Sequence, residues 1–169
     1  MPILLVGGGS RSGKSRHALE LARRYGPRRG FLATAQAFDE EMEARIGRHR
    51  QERGAEFVTI EEPLDLTAAL RRAESEFDVL VVDCLTLWLS NVMHAGNSID
   101  SGAVQATLEA MAASSLPCIL VTNEVGCGIV PENALAREFR DRAGILNQQA
   151  AARAVEIYWM IFGVAMRVK

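Results

Sequence analysis

The sequence has no apolar run long enough to cross a bilayer, which takes about 20 consecutive apolar residues. Its N-terminus lacks a basic stretch followed by an apolar core and a cleavage site, so no secretory signal is expected. Charge of neither sign dominates. Lys and Arg total 19 against 21 Asp and Glu, a formal net charge of −2, which argues against a general nucleic-acid surface. Cysteines are few and odd in number: Cys84, Cys118 and Cys127, without metal-ligand spacing. Each sits in or beside an apolar run and is expected as a buried free thiol of a reducing cytosol. No internal repeat or low-complexity linker interrupts the chain. What remains is 169 residues, 49% hydrophobic and 24% charged, expected to form one cytoplasmic domain over residues 1–169.

Short apolar runs alternate with longer amphipathic segments. Residues 2–6 (PILLV), 30–35 (GFLATA) and 56–62 (EFVTIEE) read as strands, and a further strand opens residues 78–89 (DVLVVDCLTLWL). Residues 12–26, 39–53, 64–76 and 104–115 read as helices, the second with an acidic first turn and a basic last turn that suit the helix dipole. A Gly/Asn/Ser stretch lies at 96–98. Residues 117–125 (PCILVTNEV) predict another strand, and 133–157 a long helical region with Gly144 as a candidate break. YWMIF and AMRVK, at 158–162 and 165–169, are expected to close the sheet. Strands of almost pure Val and Leu belong to parallel sheets covered on both faces. The pattern therefore predicts an α/β fold with a mostly parallel central sheet flanked by helices. In such sheets ligands sit at the carboxyl ends of the strands, where Gly8 to Ser15, Thr34, Asp83, Asn123 and Glu124 all fall.

Gly8, Gly13, Lys14 and Ser15 fit the pattern G-x-x-x-x-G-K-[ST], with Gly9, Ser10, Arg11 and Ser12 between the glycines. Glycines let successive backbone N–H groups point at phosphate oxygens, and the following helix adds its positive end. Lys14 would reach the β- and γ-phosphates and the Ser15 hydroxyl would ligate Mg²⁺. A buried strand before the loop and a helix after it give the context this motif needs. Asp83 ends a hydrophobic strand as a second metal-directed group, although an aspartate there can equally cap the next helix. This loop alone predicts a nucleoside triphosphate and leaves kinases, switches and nucleotidyltransferases open.

Among the three histidines, His17 is expected at the surface and His94 in a loop. His49 stands among Arg45, Arg48, Arg50 and Arg53. That company favours an uncharged, nucleophilic imidazole and can hold an anionic phosphate against it. A solvated basic helix face is the competing reading, and composition alone favours it. Asn123 and Glu124 read equally as site residues or as turn and cap groups. Arg137 and Arg140 read either as a solvated face or as contacts to a phosphorylated substrate.

GGSRSGKSRHA, LATAQAFDEEMEARIGRHRQER, VVDCLTLWLSN and above all VTNEVGCGIVPENALAREFRDRAGILNQQAA resemble the bifunctional adenosylcobinamide kinase/adenosylcobinamide-phosphate guanylyltransferase family. The resemblance runs from the first strand to the last residues. It implies a RecA-like P-loop NTPase core. The implied reactions are phosphorylation of adenosylcobinamide by a nucleoside triphosphate (ATP or GTP), then GMP transfer from GTP through a guanylylated histidine. The products are adenosylcobinamide-GDP and pyrophosphate. The family's RI-x-x-H-[RK] stretch places that histidine at His49, with Lys14 as the second catalytic residue. Where some relatives carry a second histidine just before it, this chain has Arg48. Implied nucleotide contacts are Gly8, Gly9, Ser10, Arg11, Ser12, Gly13, Lys14, Ser15, Arg16, Thr34, Ala35, Gln36, Arg50, Gln51, Glu52, Arg53, Glu61 and Asp83, with Mg²⁺ on Ser15 and Asp83. Position 35 is Ala where some relatives have Ser, and Asp83 stands where some have Glu. The family further implies a homo-oligomer, a trimer in particular, with the corrinoid near a subunit boundary. The two steps attack different phosphorus atoms, so either the helix bearing His49 moves or GTP sits differently in each. The competing expectations are a small-molecule kinase without a reactive histidine and a non-catalytic NTP-dependent switch.

Overall fold

Each strand of the sequence divides its apolar residues between two faces, because successive side chains point to opposite sides of a sheet. Ile3, Leu5, Leu80, Val82, Cys118 and Leu120 enter one core cluster, while Leu4, Val6, Val79, Val81, Ile119 and Val121 enter the other. A computed structural model describes residues 2–37, 40–96 and 101–169. Among them one seven-stranded sheet forms from β1 (Ile3–Gly8), β2 (Arg29–Ala33), β3 (Phe57–Glu61), β4 (Val79–Asp83), β5 (Cys118–Val121), β6 (Ala154–Ile161) and β7 (Val164–Arg167). The strand order is β3-β2-β4-β5-β1-β6-β7. Every pairing is parallel except β6 with β7.

The helices are α1 (Lys14–Ala22), α2 (Glu40–Arg53), α3 (Leu66–Glu76), α4 (Leu85–His94), α5 (Ser101–Ala113) and α6 (Ala134–Arg153). On one face α1 buries Ala18, Leu19, Leu21 and Ala22 against Phe31, Val79 and Tyr158. On the other, α3 to α6 cover the sheet through Leu66, Leu70, Trp88, Leu89, Leu108, Met111 and Leu146. Both faces are therefore dry, as the Val- and Leu-rich strands require. Local caps set the helix starts: Asp65 Oδ1 accepts from Ala68 N at 2.8 Å for α3, and Asn133 Oδ1 from Ala136 N at 3.1 Å for α6.

Two boundaries differ from the sequence reading. Residues 154–157 belong to β6, not to the preceding helix, because β1 takes its second parallel partner there, Ile3 opposite Ala154 and Leu5 opposite Ile157. A sheet partner far away in sequence overrides local helix propensity. Gly144 does not break α6, whose inner residues Ala143, Leu146 and Ala150 bury one continuous stripe across it. A Cβ at Gly144 would meet nothing within 4 Å. Gly144→Ala is therefore expected to stabilise the fold by about 0.5–1 kcal/mol, a rise of about 1–4 °C in Tm, read by thermal unfolding.

Candidate nucleotide site at the carboxyl edge

The turn after β1 curls because Gly13 takes φ +93° and Arg11, a non-glycine residue, takes φ +54°. Side-chain-bearing residues adopt that region at a cost and concentrate there at functional loops. Gly8 is required by packing, since a Cβ on it would lie 2.9 Å from the Met160 carbonyl oxygen. The loop is held from both sides: Glu124 N donates to Gly8 O at 3.1 Å, and Gly163 N donates to Ser12 O at 3.1 Å. Gly9, Ser10 and Arg11 are exposed, and Ser12, Gly13 and Ser15 are partly so. Lys14 is buried, its Nζ donating to Gly9 O at 2.5 Å and to Ser12 Oγ at 3.4 Å. Arg16 lies outside the loop, at 3.5 Å from Gly163 O and 4.0 Å from Glu20.

Asp83 closes β4, paired with Ala33 of β2 and Val121 of β5. It does not cap α4. That cap is Cys84, whose Sγ accepts from Leu87 N at 3.4 Å, so the Asp83 carboxylate is spared the role that competed with metal binding. The Asp83–Cys84 peptide is cis. Burial pushes the Cys84 thiol up to about 12, with Asp83 adding to the rise and the Lys14 ammonium opposing it. Lys14 opens α1 after β1 and Asp83 ends β4, both at the carboxyl edge of the sheet. Among the described residues no three His, Cys, Asp or Glu side chains converge as a metal cage. One hydroxyl and one carboxylate suit Mg²⁺, which keeps waters and takes its other ligands from substrate phosphates.

Behind this edge runs a belt of hydrogen bonds that the sequence reading missed. Thr34 is fully buried: its Oγ1 accepts from Cys84 N at 2.8 Å and donates to Cys84 O at 2.9 Å. Its N–H donates to Asp83 O, and its carbonyl accepts from Asn91 Nδ2 at 2.7 Å. Asn91 also reaches Pro63 O at 3.2 Å and so ties together the loops after β2 and β3. Thr86 Oγ1 lies 3.2 Å from Thr122 Oγ1, which donates to Asn147 Oδ1 at 2.6 Å. Asn123 donates from N to Thr86 Oγ1, and its carbonyl accepts from Asn147 Nδ2. Buried polar side chains on the inner faces of α4 and α6 were the available signal, because such groups must find partners. Thr34 therefore spends its polar groups on the scaffold and leaves the turn's outer surface to Ala35 and Gln36. Asn123 and Glu124 are turn groups here, with Glu124 Oε1 accepting from Gly126 N at 2.5 Å.

His49 lies on α2. Beside it, Arg50 donates to Glu61 Oε1 at 2.7 Å, at the carboxyl end of β3. Arg53 is buried, stacked 4.0 Å over the Phe31 ring and donating to Thr59 Oγ1 at 3.3 Å, so it anchors α2 to the sheet. Gln51 is exposed and Arg48 likewise; the side chains of Arg45 and Glu52 lie outside the described residues, as do residues 97–98 of the predicted Gly/Asn/Ser stretch. β3 and β1 are four strand spacings apart, about 19 Å. His49 itself lies within α2, which joins β2 to β3, whereas the phosphate loop follows β1.

The other histidines correct the sequence reading. His17 is not a surface residue. Its side chain is 15% exposed, with the ring edge-on to Tyr158 at 4.9 Å and Nδ1 3.4 Å from Glu20. His94 ends α4 instead of lying in a loop, and its Nδ1 sits 2.7 Å from Ser90 O, where it donates. Arg137 donates to Pro131 O and Glu132 O, bracing the turn before α6, and Arg140 pairs with Asp141. A cleft of about 450 Å³ opens between α4 and the start of α6, walled by Met93, Leu135 and Phe139 with His94 at its side.

The cysteines divide as their burial dictates. Cys118 is also pushed up to about 12 by burial, while Cys127 is exposed, against the expectation that all three are buried. Near pH 8 a thiol reagent is expected to modify Cys127 alone in the folded protein, because the thiolate is the reactive form. Mass spectrometry before and after denaturation checks this; early loss of Cys84 would mean that the edge opens.

The fold is that of P-loop ATPases. The RadB recombinase superposes with a TM-score of 0.53 at 16% identity, over 94% of this chain and 73% of that one. A prototypical ATPase from the type III secretion system of pathogenic bacteria gives 0.57 at 11% identity, over 98% and 56%. At these identities the likeness shows fold alone. Sequence relatives are nearer. The bifunctional adenosylcobalamin biosynthesis protein CobP of Pseudomonas aeruginosa is 43% identical over 167 residues, 98% of this chain and 96% of the relative. The protein CobU of Escherichia coli, of the same description, is 38% identical over 99% of both chains. The model of the cobinamide kinase / cobinamide phosphate guanyltransferase family matches residues 4–168, and the chain belongs to that family.

Proposed function

We propose that this protein performs both reactions of its family at the carboxyl edge of one sheet. It phosphorylates the hydroxyl of the aminopropanol arm of adenosylcobinamide, then transfers GMP from GTP to the product. The observation that carries the reading is the phosphate loop with buried Lys14, on the same carboxyl edge as the strand-end Asp83, in a chain matched by the family model over residues 4–168. In the kinase step the substrate hydroxyl attacks the γ-phosphorus in line and gives up its proton, while the bond from that phosphorus to the β–γ bridging oxygen breaks and a nucleoside diphosphate leaves. Lys14 and the loop N–H groups oppose the charge that spreads over the phosphoryl oxygens. Ser15 and Asp83 would hold Mg²⁺, which would supply positive charge against the phosphate oxygens.

In the transferase step a ring nitrogen of His49 attacks the α-phosphorus of GTP. A P–N bond forms and pyrophosphate leaves. The phosphate of adenosylcobinamide phosphate then attacks the same phosphorus, the P–N bond breaks, and a diphosphate links the two halves. Covalent transfer of this kind gives ping-pong kinetics. The two steps attack different phosphorus atoms, so one rigid arrangement does not serve both. Either α2 moves or GTP is held differently in the second reaction. A GTP complex with His49 already at the α-phosphorus of a nucleotide in the loop would refute this. The corrinoid is assigned to the edge cleft between α4 and α6, supported by its apolar walls, and the assembly to a homotrimer, read by sedimentation.

The decisive experiment incubates the protein with Mg²⁺ and GTP labelled at the α-phosphate, without corrinoid. Acid-labile label that survives denaturation supports the transferase. Folded protein that binds GTP and takes no label would leave a P-loop kinase or switch.

A further inference from the structure

His94 is the last residue of α4 and stands on the wall of the cleft between α4 and the start of α6. Beside Met93, Leu135 and Phe139, it is the one ionisable side chain among the described residues of that wall. Its two ring nitrogens are not equivalent. Nδ1 lies 2.7 Å from Ser90 O and 3.5 Å from Ser90 Oγ. A carbonyl only accepts, so Nδ1 carries the hydrogen and the neutral ring keeps its lone pair on Nε2. Among the described residues Nε2 makes no hydrogen bond. Histidines that bind metals are fixed in this way, one nitrogen donating to a backbone carbonyl and the other left for the metal.

A single imidazole does not hold a free cation, because resident ions take three or four protein ligands. No group of three His, Cys, Asp or Glu side chains converges among the described residues. The metal that suits one lone nitrogen brings its other ligands with it. The proposed substrate does so: the corrin ring supplies the equatorial nitrogens around cobalt and leaves an axial position on each face. In adenosylcobinamide the adenosyl carbon holds one of these. The other carries water, since cobinamide has no nucleotide base to fill it. The cleft's place fits the same substrate. Along α4, Thr86 meets Thr122 after β5, and Asn91 donates to Thr34 O after β2, so the helix follows the carboxyl edge. His94 comes eight positions after Thr86, about 12 Å along the axis. The ring can therefore stay in the cleft while the hydroxyl at the end of the aminopropanol arm reaches toward the phosphate loop. We infer that His94 Nε2 is the axial ligand of the corrinoid cobalt on the face opposite the adenosyl group. Its lone pair forms the Co–N bond as the axial water leaves, and nothing is oxidised or reduced. The inference rests on the proposed corrinoid substrate and its place in the cleft, and adds the residue that binds the metal.

Cob(II)inamide is the probe, because its unpaired electron reports an axial nitrogen directly. At protein concentrations that keep it bound, nitrogen splitting of the cobalt lines is expected in electron paramagnetic resonance. The pattern is expected to change from triplets to doublets when the histidines carry the heavy nitrogen isotope, and to vanish in His94→Ala. The absorbance of adenosylcobinamide is expected to move from its base-off to its base-on position on binding the parent, and to stay base-off with His94→Ala. Affinity for adenosylcobinamide, read by calorimetry, is expected to fall about tenfold or more in that variant, with an unchanged thermal melt because the residue is exposed. Splitting that survives in His94→Ala overturns the inference in favour of another nitrogen. Binding of both corrinoids with neither splitting nor an absorbance shift also overturns it, and leaves the corrinoid site and its reactions standing. A folded parent that binds neither corrinoid removes the cleft reading and the inference together.

Discussion

His49→Ala is expected to abolish guanylyl transfer, by at least about a thousandfold, while phosphorylation stays within a few-fold of the parent. The P–N intermediate loses the ring proposed to carry it, and alanine suits a helix interior better than histidine, so α2 persists. The remaining histidines are committed elsewhere. His17 lies edge-on to Tyr158, and His94 donates to Ser90 O. The readout is acid-labile label from GTP carrying α-phosphate label, with kinase activity measured on the same preparation. Label persisting in His49→Ala would transfer the nucleophile's role to another residue, and His17→Gln would then separate the candidates. Loss of both activities would mean that α2 serves the kinase step as well.

Lys14→Met is expected to lower both activities by about 10²–10³-fold, the effect of removing one preorganised group that meets transition-state charge. Methionine keeps most of the buried stem's volume, so packing in the first turn of α1 is preserved. The losses are the ammonium and its bonds to Gly9 O and Ser12 Oγ. Apart from the terminal Lys169 the sequence holds no other lysine to substitute for it. Steady-state rates for each reaction, with a thermal melt as a folding control, check the prediction. A folded Lys14→Met protein with parental kinase activity would place the triphosphate elsewhere.

These expectations draw unequally on sequence and structure. The phosphate loop was legible because its chemistry is local: Gly8, Gly13, Lys14 and Ser15 must follow one another for backbone N–H groups, ammonium and hydroxyl to converge. Asp83 was legible as the end of a Val-rich strand. Its second possible role, capping α4, was settled only when Cys84 was seen to take it. Thr34 was correctly placed at the edge, but the sequence did not reveal that its hydroxyl is buried against Cys84, fifty residues away.

The sequence by itself determined the α/β alternation, the loop that holds phosphate, and membership of the family, because each is written in contiguous residues or in a pattern along one segment. Only the tertiary structure decided that residues 154–157 pair with β1, that Asn91 and Asn147 brace the edge, and that Gly163 donates to Ser12 O. It also decided that β3, which follows the helix bearing His49, lies four positions from β1 in the sheet. All of these depend on the order in which strands line up. Hydrogen bonds between distant segments fix that order, and no local spacing encodes it.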